Sequence, residues 1–428
     1  MKVPFLYRVW VVASMGLVPF FARSETKKLR GQGISVLRAH EKLGHATQDR
    51  VGTGPLIWLH GASVGESLSV LALITRMGLM LPRAQFLITS GTATSAKLIE
   101  QRLPPRTTHQ FAPLDAPGPV KRFLRHWRPD AAIFVESEIW PQMLRRTRAT
   151  GASMALVNAR MSDKTLETWR KWPKLAQYVL DVFDLILTQN DAMAHNMVSI
   201  HAPSARVARG INLKSMAGPL PVDEDALFEA RAALGHRPVW VASSTHEGEE
   251  QAVLDAHRAL LDRFPDLCLI LAPRHPERGD QVEALITGAG LSCTRRSRGD
   301  ALGAQVYLAD TLGELGLWYA LTDIVFLGGS LLPIGGHNPF EVAQSGAAVL
   351  SGSHVAAFAE TYAQLETDGA ALIVKDGDDL AQQVVALLDN PDTLDEMTQA
   401  ARQFIEAQQD QLDTIAGRLI KALGLHLP

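Results

Sequence analysis

Several carboxylates stand where a helical pattern starts just after a buried-strand pattern, and their spacing defines the chemistry this chain offers. In His60-Gly61-Ala62-Ser63-Val64-Gly65-Glu66-Ser67 the apolar run Leu56–Leu59 ends and a helix begins. Gly61 and Gly65 permit close approach of a substrate, and Glu66 could take a proton from an attacking hydroxyl. Ser63 and Glu66 also have the spacing of a capping box, which needs no ligand. Both readings are open. The segment Gly328-Gly329-Ser330-Leu331-Leu332-Pro333-Ile334-Gly335-Gly336-His337-Asn338-Pro339-Phe340-Glu341 follows the apolar run ending at Leu327. A helix start there offers unpaired N–H groups to an anion, and Glu341 could reach sugar hydroxyls, a pattern that suits a nucleotide sugar. Asn338 as N-cap, Pro339 first and Glu341 third in a helix ending near Ser345 is again close to a capping box. The spacing recurs at Ser244/Glu247 and Thr311/Glu314. In an open parallel sheet such junctions lie outside the carboxyl ends of the strands, where ligands bind.

Other candidates are weaker. Glu136 and Glu138 follow the run Ala131–Val135; two apart on a strand end, they point the same way and can bind a sugar or raise one another's pKa. Ser90-Gly91-Thr92 offers hydroxyls. Arg160 could hold an acceptor phosphate, and Arg274 has the planar fork that suits phosphate, with His275 reading as an ordinary loop histidine beside it. No P-loop, no Gly-x-Gly-x-x-Gly after the first strand and no Gly-x-Ser-x-Gly elbow is present, which argues against NTPase, dinucleotide and esterase chemistry. Asp223-Glu224-Asp225 reads as a solvated helix start, and no metal or other cofactor is expected.

These junctions need a scaffold. Short apolar runs alternate with helical stretches from Leu56 to Leu187, and again from Val239 to Val374, which predicts parallel α/β sheets. Gly218-Pro219-Leu220-Pro221 marks a linker. The chain of 428 residues therefore divides into a membrane anchor segment (1–24), a first α/β domain (25–215) and a second (216–428). A net charge of −3 gives no field for nucleic acid. Cys268 and Cys293 fit no metal or redox spacing. Val9 to Ala22 is apolar and is followed by Arg23, Lys27, Lys28 and Arg30. Two membrane readings stay open: a spanning helix, or an amphipathic helix lying on the surface.

The motifs taken in order resemble the 3-deoxy-D-manno-octulosonic acid (Kdo) transferases. The matching pieces are His60–Ser67, Pro113-Leu114-Asp115, Glu136 to Pro141, Leu156 to Arg160, Ser244 to Glu249, Pro273-Arg274-His275, Asp310 to Leu315 and the glycine segment through Glu341. The resemblance implies a GT-B fold, two Rossmann-like domains facing a cleft, the first binding the acceptor and the second the donor. It implies an inverting transfer of Kdo from CMP-Kdo to the lipid A precursor at the cytoplasmic face of the inner membrane. It implies Glu66 as general base. On the donor it implies Arg274, His275, Gly335, Gly336, Asn338 and Glu341, the last on the ribose, with Leu312 and Gly313 beside the cytosine. Ser63, Gly65, Glu138 and Arg160 would hold the acceptor or shape the cleft. Gln142, Val342, Ala357 and the longer turn Gly210 to Lys214 depart from the family pattern. They leave open a transferase using another nucleotide sugar, or a non-catalytic lipid- or nucleotide-binding paralogue.

Overall fold

The computed structural model describes residues 2–213 and 220–425. The chain forms two compact units, Met1–Ala217 with Gln409–Pro428, and Gly218–Gln408. The second domain thus ends earlier than the expected 428. The reason is apolar: Leu412, Ile415, Ala416 and Leu419 of the last helix (Pro391–Ala422) pack on Val70, Leu73 and Met77 of the first unit. Gly218 and Pro219 of the linker, and Lys214, lie outside the described residues.

The first unit carries the strands β1 (Leu56–His60), β2 (Gln85–Ser90), β3 (Thr107–Phe111), β4 (Ala131–Val135), β5 (Ser153–Ala159), β6 (Leu185–Thr188) and β7 (Val207–Arg209). They form one parallel sheet in the order β3-β2-β1-β4-β5-β6-β7. The second unit repeats the plan with β8 (Val239–Thr245), β9 (Cys268–Pro273), β10 (Cys293–Arg295), β11 (Val306–Leu308), β12 (Ile324–Leu327), β13 (Ala348–Gly352) and β14 (Ala371–Val374), in the order β10-β11-β9-β8-β12-β13-β14. Central strands such as Leu-Ile-Trp-Leu-His and Ala-Ala-Ile-Phe-Val are buried along their whole length, as sheets covered on both faces require.

Strand order reverses between β1 and β4 in the first unit, and between β8 and β12 in the second. A crevice opens at such a reversal because the flanking connections leave to opposite faces. Three of the six left-handed non-glycine residues among the described residues stand at carboxyl ends of strands. Glu136 (φ 54°), Asn158 (φ 54°) and Ser244 (φ 55°) are left-handed non-glycine residues at the carboxyl ends of β4, β5 and β8. Such positions persist only where surroundings fix them, and they cluster at functional sites.

Candidate active site

In the first unit, β1 ends at His60 and the helix Val64–Met80 starts at once. Gly61 fits tightly here: a Cβ would come within 3.1 Å of the Glu66 backbone. The capping box forms. Ser63 Oγ accepts from Glu66 N–H (3.2 Å), and Glu66 Oε2 accepts from Ala62 N–H (2.8 Å) and, at 3.5 Å, from Ser63 N–H. Ser63 Oγ donates to Glu66 Oε1 (2.8 Å). The carboxylate is thereby fixed in place. Among the described residues Oε1 accepts one hydrogen bond, from Ser63 Oγ, which leaves a lone pair for a further donor. Gly65 lies in the first turn of the same helix.

Glu138 follows β4 and faces His60 across the strand-order reversal. His60 Nε2 donates to Glu138 Oε2 (3.1 Å), and Trp140 Nε1 donates to the same oxygen (2.5 Å). The far side of the imidazole, Nδ1, meets Thr89 Oγ1 at 2.9 Å. Burial would push the Glu138 carboxyl up, but the hydrogen bonds from His60 and Trp140 and the nearby positive charges outweigh it and hold its pKa below the usual carboxylate range. Glu136 does not pair with Glu138; it takes a bond from Asn158 Nδ2 (3.2 Å). Arg160 stands exposed past the end of β5.

In the second unit the structure departs from the expected caps. Glu247 closes no box with Ser244; the helix starts at Glu249 with Gly248 as N-cap. Glu249 is fully buried and is the organising residue that sequence reasoning missed. Its Oε2 accepts from His246 N–H (3.0 Å) and Gly329 N–H (2.7 Å), and its Oε1 from Ser330 and Leu331 N–H (2.9 Å each). One carboxylate thus holds the turn after β12 against the end of β8. Thr311 and Glu314 also form no helix cap; Glu314 pairs with Arg296 (2.6 Å) and accepts from the Thr311 hydroxyl. At the fourth spacing the helix is Phe340–Ser345 with Pro339 as N-cap, one residue later than expected, and Asn338 Oδ1 accepts from Phe340 N–H (3.3 Å).

The glycine segment divides by function. A Cβ on Gly329 would come within 2.8 Å of His337, and one on Gly336 within 2.9 Å of the Val355 backbone. Those glycines serve the protein's own packing. Gly335 (φ 114°) has nothing closer than 4.0 Å, so its backbone stands open. Nearby, His246 Nε2 and His337 Nε2 are hydrogen-bonded at 2.9 Å. Burial, then the charges of His246 and Arg274, push His337 down to about 4, so the ring is neutral at pH 7. His275 packs edge-on to His246 at 5.7 Å, and Arg274, exposed, is set by its N–H donating to Thr245 O (2.9 Å). Leu312 is 78% exposed next to Gly313 (φ 86°). Burial raises the Tyr319 phenol; its bond with Ser243 opposes this and the charge of nearby Glu341 adds to it. Among the described residues no group of three His, Cys, Asp or Glu side chains is placed to hold a metal.

Residues 37–217 match a family described as 3-deoxy-D-manno-octulosonic-acid transferase (kdotransferase). A probable mitochondrial 3-deoxy-D-manno-octulosonic acid transferase of Arabidopsis thaliana is 31% identical over 436 residues, spanning 99% of this chain and 96% of the relative. A 3-deoxy-D-manno-octulosonic acid transferase of Rickettsia felis is 35% identical over 364 residues, 84% of this chain and 77% of the relative. Among solved structures, a glycosyltransferase from Rickettsia africae superposes with a TM-score of 0.57 at 13% identity, covering 86% of this chain and 98% of that one. The fold is that of the two-domain parallel-sheet glycosyltransferases.

Proposed function

This chain belongs to the Kdo transferase family, and we propose that it moves Kdo from CMP-Kdo to a hydroxyl of the lipid A precursor, with inversion and without a metal. The observation that carries the mechanism is the fixed carboxylate of Glu66 with a lone pair left on Oε1. The acceptor hydroxyl donates to that oxygen. As the hydroxyl oxygen bonds to the anomeric carbon of Kdo, its proton passes to Glu66, the bond from carbon to phosphate oxygen breaks, and CMP departs. The second unit holds the donor. Arg274 and the open backbone at Gly335 take the phosphate and the sugar acid, Glu341 takes the ribose, and Leu312 with Gly313 lies against the base. Glu138 and Arg160 serve the acceptor. This reading places the protein in lipopolysaccharide biosynthesis.

The helix Phe5–Gly31 is the one described helix long and apolar enough to cross a bilayer. We read it as lying on the membrane surface instead. Tyr7 packs edge-on to Tyr178 (5.1 Å), Trp10 Nε1 donates to Asp115 Oδ2 (2.9 Å), and Ala22 and Leu29 are buried against the domain. From Tyr7 to Leu29 the helix rises roughly 33 Å, about the hydrocarbon thickness of a bilayer. A spanning pose would drag the folded domain into lipid. Phe5, Val12 and Phe20 remain strongly exposed and supply the face that enters the acyl layer, at the cytoplasmic side of the inner membrane.

The test is a reaction of purified full-length protein with CMP-Kdo and lipid A precursor, read by mass spectrometry of the lipid. The reading requires a mass gain of one or more Kdo units. Calorimetry with CMP, UDP and GDP separates the alternative donors: tighter binding of UDP or GDP would replace the CMP-Kdo assignment.

A further inference from the structure

Near the carboxyl end of β3 the first unit buries a cation that the mechanism above does not use. Lys42 sits in the single turn His40–Leu43, where its carbonyl accepts from Leu114 N–H (2.9 Å). Its side chain is 6% exposed. Lysine is almost never so enclosed without an anion beside it. Two of the neighbouring carboxylates are engaged elsewhere. Glu41 accepts from Phe111 N–H (2.7 Å) and from Thr47, with Arg38 at 3.4 Å, and Glu138 is taken by His60 and Trp140. Among the described residues the Lys42 ammonium makes no hydrogen bond or ion pair; it stands 5.9 Å from the centroid of the Phe111 ring.

Its surroundings say what would complete it. Phe111 ends β3, so Lys42 lies over the carboxyl edge of the sheet, where ligands of this fold class bind. Glu138 at the strand-order reversal and Glu25 and Lys28 in the last turns of the surface helix are all near enough for their charges to act on it. Burial pushes its pKa down, an effect that Glu25 and Glu138 only partly oppose. An arriving anion would reverse that penalty, so the site favours an anionic group over a neutral one.

We propose that Lys42 is the contact for a phosphate monoester on the glycolipid acceptor. The inference rests on the acceptor reading above. The position suits a headgroup: the turn adjoins the C-terminal end of the helix whose apolar side faces the membrane, so a lipid held there presents its phosphorylated sugar toward the crevice. The shared chemistry, an anionic oxygen group, could also be the carboxylate of the donor sugar, and the experiment separates the two.

Kdo transfer is measured with wild type, Lys42→Met and Lys42→Arg, each full length, on the phosphorylated lipid A precursor and on the same lipid after phosphatase treatment. Lys42→Met is expected to raise the ratio of the acceptor KM values, phosphorylated over dephosphorylated, at least tenfold, with the CMP-Kdo KM moving less than twofold. Lys42→Arg restores most of the ratio. An unchanged ratio overturns the proposal, and so does a rise confined to the CMP-Kdo KM, which would assign the anion to the donor. If Lys42→Met does not fold, reductive methylation of wild type, read by peptide mass spectrometry, takes its place. Phosphorylated lipid must protect Lys42 and dephosphorylated lipid must not; equal protection overturns the proposal. Wild type that transfers no Kdo defeats the function reading, while the methylation experiment still decides the role of Lys42.

Discussion

His60 Nε2 and Glu138 Oε2 lie 3.1 Å apart and join the end of β1 to the turn after β4, across the point where strand order reverses. The pair fixes the floor of the first-unit crevice. Hydrogen bonds to a charged group contribute about 2 kcal/mol, so Glu138→Gln should lose roughly that much stability at pH 7. Because the folded-state pKa of Glu138 is depressed, its contribution is present above the unfolded value of about 4.3 and is lost as pH falls through the folded value. Denaturant titrations of both proteins should therefore begin to converge as pH falls below about 4.3, the unfolded value. A difference that persists unchanged in acid would contradict the assignment.

Glu249 holds three consecutive N–H groups, at Gly329, Ser330 and Leu331, together with that of His246. Glu249→Ala leaves these donors buried and unpaired, which costs about 3 kcal/mol or more. The donor KM should rise at least tenfold while the acceptor KM stays within about twofold. Equal changes in both would show that Glu249 merely supports the fold.

The scaffold was legible in the sequence wherever burial is two-sided. β1, β4, β8 and β12 are unbroken apolar runs, and their ends marked the junctions that matter. The strands not anticipated, β3, β7 and β10, are all sheet edges. Edge strands need bury less, so Thr107-Thr108-His109-Gln110-Phe111 reads as polar although His109 and Gln110 are enclosed through bonds to Ser90 and Trp127. Local spacing misled at the caps. Ser63 and Glu66 close a box, but at Ser244, Thr311 and Asn338 long-range partners or the local turn win. Glu249 could not be found by spacing, since three of its partners lie some eighty residues away.

Acid should unfold this protein partly through its buried histidines. Burial, with help from Arg38 and Lys42, pushes His109 down to about 3, and burial pushes His257 down to about 4 against its bond to Gln305 O. Both are neutral when folded and bind a proton near pH 6.5 when unfolded. Their contribution is thus complete above pH 6.5 and is lost as pH falls toward 4. Two extra protons taken up on unfolding correspond to a slope of about 2–3 kcal/mol per pH unit near pH 5. Stability that stays flat from pH 6.5 to 4.5 would contradict this.

A surface-lying helix puts both of its ends at one depth. Nitroxide or fluorescent labels at Phe5→Cys and Phe20→Cys, in vesicles with lipid-borne quenchers, should report the same shallow depth within a few ångströms. A spanning helix would separate them by about 22 Å. Asp115→Ala should weaken the docking of Trp10 and leave vesicle binding in place, since the exposed apolar face is untouched.

The most direct measurement compares wild type with Glu66→Gln and Ser63→Ala, by single-turnover transfer of Kdo to the lipid A precursor alongside thermal unfolding. Both substitutions remove part of the cap and should cost about 1 kcal/mol of stability. Only Glu66→Gln removes the base, so its chemical step should slow by roughly 10²–10⁴-fold, while Ser63→Ala stays within about tenfold of wild type. Glu66→Gln protein that transfers Kdo at the wild-type rate would contradict the account.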